Sequence, residues 1–129
     1  MSGRFLPPDH SRGDANTIGG YAAVHSRPAA FEGSDGMSYS VEIVVDETEI
    51  VGRPFGAYFL FLRWRRIGSQ GIEGHLETDY LAYGLTEDDA RAAIGAMPLN
   101  AVKELLEQLI REHSASRSSR RWWDAMRDE

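Results

Sequence analysis

Apolar and polar positions alternate most cleanly over "YSVEIVVD", where Tyr39, Val41, Ile43 and Val45 share one face and Ser40, Glu42 and Asp46 the other. Period two predicts a half-buried strand over 39–46. "AYFLFLRWRRI" is apolar on both faces in its first half, which predicts a central strand over 57–66. After the turn "GSQG", residues 72–83 alternate again. Ile72, Leu76, Thr78, Tyr80 and Ala82 face one way, and Glu73, His75, Glu77, Asp79, Leu81 and Tyr83 the other. The period then lengthens. Thr86 followed by Glu87, Asp88 and Asp89 is an N-cap with acidic residues where the helix dipole favours them, so a helix is expected over 87–96. Leu99, Val102, Leu105, Leu106, Leu109 and Ile110 recur at helical spacing and predict a second helix over 99–113. Pro28 limits residues 21–33 to an edge strand.

Strands followed by helices read as an α+β fold: an antiparallel sheet of three to four strands with two C-terminal helices packed on one face. The strands can be registered by placing Trp64 opposite Leu76, Leu62 opposite Thr78 and Leu60 opposite Tyr80. One face is then continuously apolar, and Arg63 meets Glu77 on the other. The helices should cover the face bearing Val41, Ile43, Leu60, Leu62 and Leu76. This register leaves Phe59, Phe61, Leu81 and Tyr83 as an uncovered apolar patch, and such patches mark interfaces.

Outside residues 21–113, read as the single α+β domain, the periodicity is lost. Residues 1–20 read as a disordered or partner-ordered arm, and 114–129 as a Ser/Arg linker with a docking tail. In a helical turn that tail would gather Trp122, Trp123 and Met126 into one apolar knob. Two indoles bury roughly 200 Å² each, more surface than a solvated tail needs. The knob and the sheet patch together form a candidate surface for a protein partner or a homo-oligomer.

Composition narrows the alternatives. A net charge of −6 disfavours nucleic acid and anionic membrane as partners of the whole chain. The longest apolar run, "YFLFL", is too short to span a membrane. With no apolar stretch of signal length at the N-terminus, the expected location is cytoplasmic. Thiol chemistry is excluded, since the chain has no cysteine. His75, Glu77 and Asp79 are the candidates for a metal or acid/base site, but Arg63 and Arg65 are expected to neutralise their carboxylates. We therefore expect no catalytic residues, metal or cofactor. Phe59, Phe61, Arg63 and Arg65 on one strand face have the composition of a single-stranded RNA platform, opposed by the acidic stripe beside them.

The step "DYLAYGLTEDDARAAI" resembles the strand-to-helix step of HicB-type antitoxin domains, in which a Gly-x-Thr turn leads into an acid-capped helix. The resemblance covers about 16 residues, and the family's Pro-Gly-Cys loop has no counterpart here. It implies an antitoxin-like, nucleic-acid-associated module. The residues themselves favour a small non-catalytic interaction or accessory subunit. Such a subunit would self-associate or dock onto a larger assembly through its sheet face and Trp tail. A metal-dependent enzyme ranks third.

Overall fold

The structure, a computed structural model, describes the backbone of residues 7–64 and 74–127 and the side chains of 7–64 and 74–114. The fold is α+β: among the described residues it has an antiparallel sheet and three α-helices, two of them C-terminal. A single 3-10 turn at His10–Arg12 precedes α1 (Ile18–His25). The strands follow as β1 (Ala30–Glu32), β2 (Ser38–Glu47), β3 (Phe55–Trp64), β4 (Gly74–Glu77) and β5 (Ala82–Gly84). The chain then forms α2 (Glu87–Gly95) and α3 (Leu99–Arg127). The sheet order is β1-β2-β3-β4, with β5 also paired to β3.

The register differs from the sequence expectation, and the difference turns the sheet over. Phe61, not Trp64, lies opposite Leu76, and Leu60 lies opposite Glu77. That is a slip of three residues, and an odd slip sends every side chain of one strand to the other face. On β2, Val41 opposes Phe61 and Ile43 opposes Phe59. The helices therefore cover Phe59 and Phe61, both fully buried, while Leu60 and Leu62 lie on the open face. Alternation could not decide this, because β3 is apolar on both sides. Burying two phenylalanines under α2 and α3 removes more apolar surface from water than burying two leucines.

The expected strand over 72–83 is two strands with a break, and residues 65–73, with the predicted "GSQG" turn and Arg65, lie outside the described residues. At the break Thr78 keeps the ladder closed. Its N–H donates to Phe59 O at 3.1 Å, and its Oγ1 accepts from Phe59 N–H at 3.1 Å. Continued in β4's register, Ala57 would face Tyr80; it faces Ala82 instead. Two extra residues preserve the period of two, so Leu76 and Ala82 both point to the core. Thr78, whose hydroxyl donates to Asp79 O at 2.8 Å, and the polar Asp79 after it are the sequence signal for this break.

Slippage also carries Arg63 to the helix side, opposite Tyr39 and Gly74 rather than Glu77. Gly74 has no side chain to obstruct the guanidinium, whose buried Nε has no hydrogen-bond partner among the described residues. A cavity of about 220 Å³ lies there, lined by Asp35, Tyr39, Arg63 and His113 among others. The Tyr39 hydroxyl donates to Asp35 Oδ2 at 2.6 Å.

Of residues 7–20, expected as part of an arm, 7–14 are exposed and the stretch around Ile18 packs into the fold. Ile18 is buried, its N–H donates to Met97 O at 2.9 Å, and Leu99 N–H donates to Asn16 O at 2.9 Å. Thr17 caps α1 by accepting from Gly20 N–H at 3.0 Å. The sequence of α1 is a weak helix former because of Gly19 and Gly20. Tertiary contact rewards it: a Cβ on Gly19 would sit 3.0 Å from the Gly95 Cα, so the glycine lets α1 meet the end of α2 backbone to backbone. The helix expected over 99–113 runs on to Arg127, so the Ser/Arg stretch has helical backbone. Among the described residues, no helix is long and apolar enough to cross a membrane.

Two measurements check this arrangement. Phe61→Ala should destabilise the fold by about 3–5 kcal/mol, and Leu60→Ala, its neighbour on the open face, by about 1 kcal/mol or less. Equal losses in urea unfolding would mean that the faces are reversed.

The second check is the alkaline limb of stability. Burial, and next the hydrogen bond to Asp35, push the Tyr39 hydroxyl up to about 12 from an ordinary 10. The folded state holds the neutral phenol, so its contribution is complete below about pH 10 and is lost as pH rises towards 12. Tyr39→Phe should lower stability at pH 7 and flatten its decline between pH 10 and 12. A decline as steep as that of the parent would remove Tyr39 from the alkaline response.

Candidate functional site

The face turned away from the helices is built by alternation on the two long strands. β3 contributes Tyr58, Leu60, Leu62 and Trp64, and β2 contributes Ser40, Glu42, Val44 and Asp46. Cross-strand pairing sets Val44 opposite Tyr58, Glu42 opposite Leu60 and Ser40 opposite Leu62. Val44, Tyr58, Leu60, Leu62 and Trp64 are each half-buried, and together they make an apolar stripe along the strand. At one end the Trp64 indole N–H donates to Ser40 Oγ at 3.1 Å, which fixes the ring.

At the other end three tyrosines meet. The ring centroids of Tyr58 and Tyr80 are 5.9 Å apart and those of Tyr80 and Tyr83 6.0 Å apart, distances typical of aromatic pairs. The break between β4 and β5 puts Tyr80 there, with its ring over Gly56. Tyr80 Oη donates to Asp46 Oδ2 at 3.0 Å. That bond raises the Tyr80 pKa, and burial followed by Asp46 raises that of Tyr58. Both phenols are therefore neutral donors at physiological pH. The Arg53 guanidinium lies 5.0 Å from the Tyr83 ring centroid, a cation–π contact closing this end. Beside it, Ile50 and Val51 at the tip of the β2–β3 loop are exposed, Val51 almost completely.

The four sheet residues proposed from sequence are not brought together. Phe59 and Phe61 are core residues with no exposed surface, Tyr83 is on the open face, and Leu81 is an exposed residue of the break. Phe59 and Phe61 are thus closed to a partner and to stacking by a base. The backbone of Trp122, Trp123 and Met126 lies in α3, while their side chains lie outside those described.

The His75, Glu77 and Asp79 strip is also divided. His75 and Glu77 are exposed on β4, but Asp79 falls in the break, and the expected partner of Glu77, Arg63, is on the other face. Among the described residues, no three histidine, cysteine or carboxylate side chains converge as a metal site.

Sequence reasoning missed Tyr58, Leu60, Leu62, Trp64 and Tyr80. The expected register places Leu60, Leu62, Trp64 and Tyr80 on the core face and leaves Tyr58 unassigned, and only the partner strand's register separates the two faces of β3. A weak signal existed for Tyr80, since Thr78 and Asp79 flag the irregularity that swings it outward. What the surface offers chemically is a flat apolar stripe with fixed aromatic hydroxyl and indole groups and an acidic margin of Glu42, Asp46 and Glu77. Comparison of the chain with protein-family models, with curated proteins and with solved structures finds no match.

Proposed function

We propose that this chain is a small, cytoplasmic, non-catalytic interaction or accessory subunit that self-associates or docks onto a larger assembly through its open sheet face, with the Trp-bearing end of α3 as a second contact. The carrying observation is the stripe of Val44, Tyr58, Leu60, Leu62 and Trp64, which the helices leave on the other side of the sheet. An apolar centre containing Tyr and Trp, with a polar margin, has the composition of a protein–protein contact. The helical backbone of α3 supports the second contact, because it spaces Trp122 and Met126 at i, i+4 and Trp123 and Met126 at i, i+3. Nucleic acid is less well matched: the candidate stacking rings Phe59 and Phe61 are inside, and the open face has carboxylates along its margin.

Sedimentation across a concentration series tests the proposal with the intact chain, a Leu60→Lys/Leu62→Lys variant and a chain ending at Ser114. The intact chain should associate. The double variant should weaken association at least about tenfold, a change equivalent to about 1.4 kcal/mol, with its thermal midpoint within a few degrees of the parent's. The shortened chain should weaken it too. An intact chain that stays monomeric to millimolar concentration, or lysines that leave its association unchanged, would remove the sheet face from self-association.

A further inference from the structure

We propose that the groove between α1, α2 and the edge of β2 binds an extended acidic peptide segment of a partner protein by strand addition. The edge is open for a reason visible in the register. β1 pairs with β2 only from Ser38 to Ser40, and Val41 N–H donates to Ala29 O at 3.1 Å. That bond sets the phase: Tyr39, Val41, Ile43 and Val45 aim their backbone groups towards β1's side. Beyond Ala29 the chain leaves the sheet at Pro28. Among the described residues no strand pairs Ile43 or Val45 on that side. The long register of β2 with β3 runs from Ser38 to Glu47 without a bulge or proline, the usual devices that blunt an edge.

Beside this edge lies a groove of about 850 Å³. Ala22 and Ala23 of α1, Ala92 and Gly95 of α2 and Ile43 of β2 contribute to its lining. Small side chains on both helices leave room for the side chains of an added strand. An antiparallel strand there would continue the line of β1, with alternate side chains entering the groove, the geometry of peptide recognition by β-augmentation.

The charges select the peptide. Arg12, Arg27 and Arg91 line the groove, against Glu42 and Asp88. The groove is thus locally basic on a chain of net charge −6. Arg91 Nη1 already donates to Ile43 O at a long 3.4 Å, so a guanidinium stands at the carbonyl where an incoming N–H would bind, free to turn to a peptide carboxylate. Arg27 rests on the Tyr21 ring, 5.5 Å from its centroid, which holds its charge at the groove. The groove is on the helix side of the sheet and does not depend on the open face.

The test uses the full ¹⁵N-labelled chain and capped peptide pools that alternate Asp or Glu with Val, Leu or Thr, in both phases. Controls are the matching Lys/Arg pools, the acidic peptides N-methylated at alternate amides in each phase, and an oligothymidylate. Acidic peptides should shift the Ile43 and Val45 amide resonances. N-methylation in one phase should abolish binding and in the other spare it. Arg27→Glu with Arg91→Glu, at exposed positions, should weaken binding at least about tenfold without altering the rest of the spectrum. Leu60→Lys/Leu62→Lys should leave it unchanged, which separates this site from the open face. No shift at millimolar peptide, equal binding of basic pools, indifference to N-methylation, or tighter binding of oligothymidylate at the same amides would overturn the proposal.

Discussion

Placing Phe59 and Phe61 opposite Ile43 and Val41, under the helices, is the constraint on which the other features depend. Once these rings point to α2 and α3, the intervening residues Tyr58, Leu60 and Leu62 must point away, because a strand has only two faces. The same phase carries Arg63 to the helix side. There it ends the apolar core beside Tyr39 instead of pairing with Glu77. Core and candidate surface are thus two consequences of one register.

The β4–β5 break is the compensation that lets this register persist. A continuous strand over 72–83 would hold Tyr80 opposite Ala57, against the core. Two residues are instead looped out, Thr78 supplies backbone and hydroxyl groups to Phe59, and Tyr80 moves to the open face to meet Asp46. The even number of looped residues matters: Leu76 and Ala82 stay on the core side although their pairings with β3 differ in step. The irregularity therefore builds the tyrosine end of the open face while leaving the core intact.

Two surfaces on opposite sides of the sheet follow, with different physics. The open face is flat and apolar at its centre, and it offers side-chain contact. The β2 edge offers backbone hydrogen bonds beside a groove of small residues and guanidinium groups. Helix α1 creates the second surface. Its Gly19 lets it sit against Gly95, close enough to wall the groove without covering the edge.

The elements whose pattern has one reading were legible in the chain. β2 alternates apolar with polar, and Thr86 with its three acidic followers marks the start of α2. The leucine spacing from Leu99 to Ile110 defines the buried side of α3. These are local signals, set by capping chemistry and by the periods of strand and helix. The faces of β3 were not legible, because Ala57 to Leu62 is apolar on both sides and its own sequence prefers neither. Helix α1 was hidden for a related reason: its glycines argue against a helix, and only contact with α2 makes them an advantage. What the sequence by itself determined was the α+β order of elements and the two C-terminal helices. The tertiary structure decided the register, and with it which aromatic residues form the core and which lie on the open face. Register is a comparison between distant strands, settled by the total apolar area removed from water, and no single segment carries that sum.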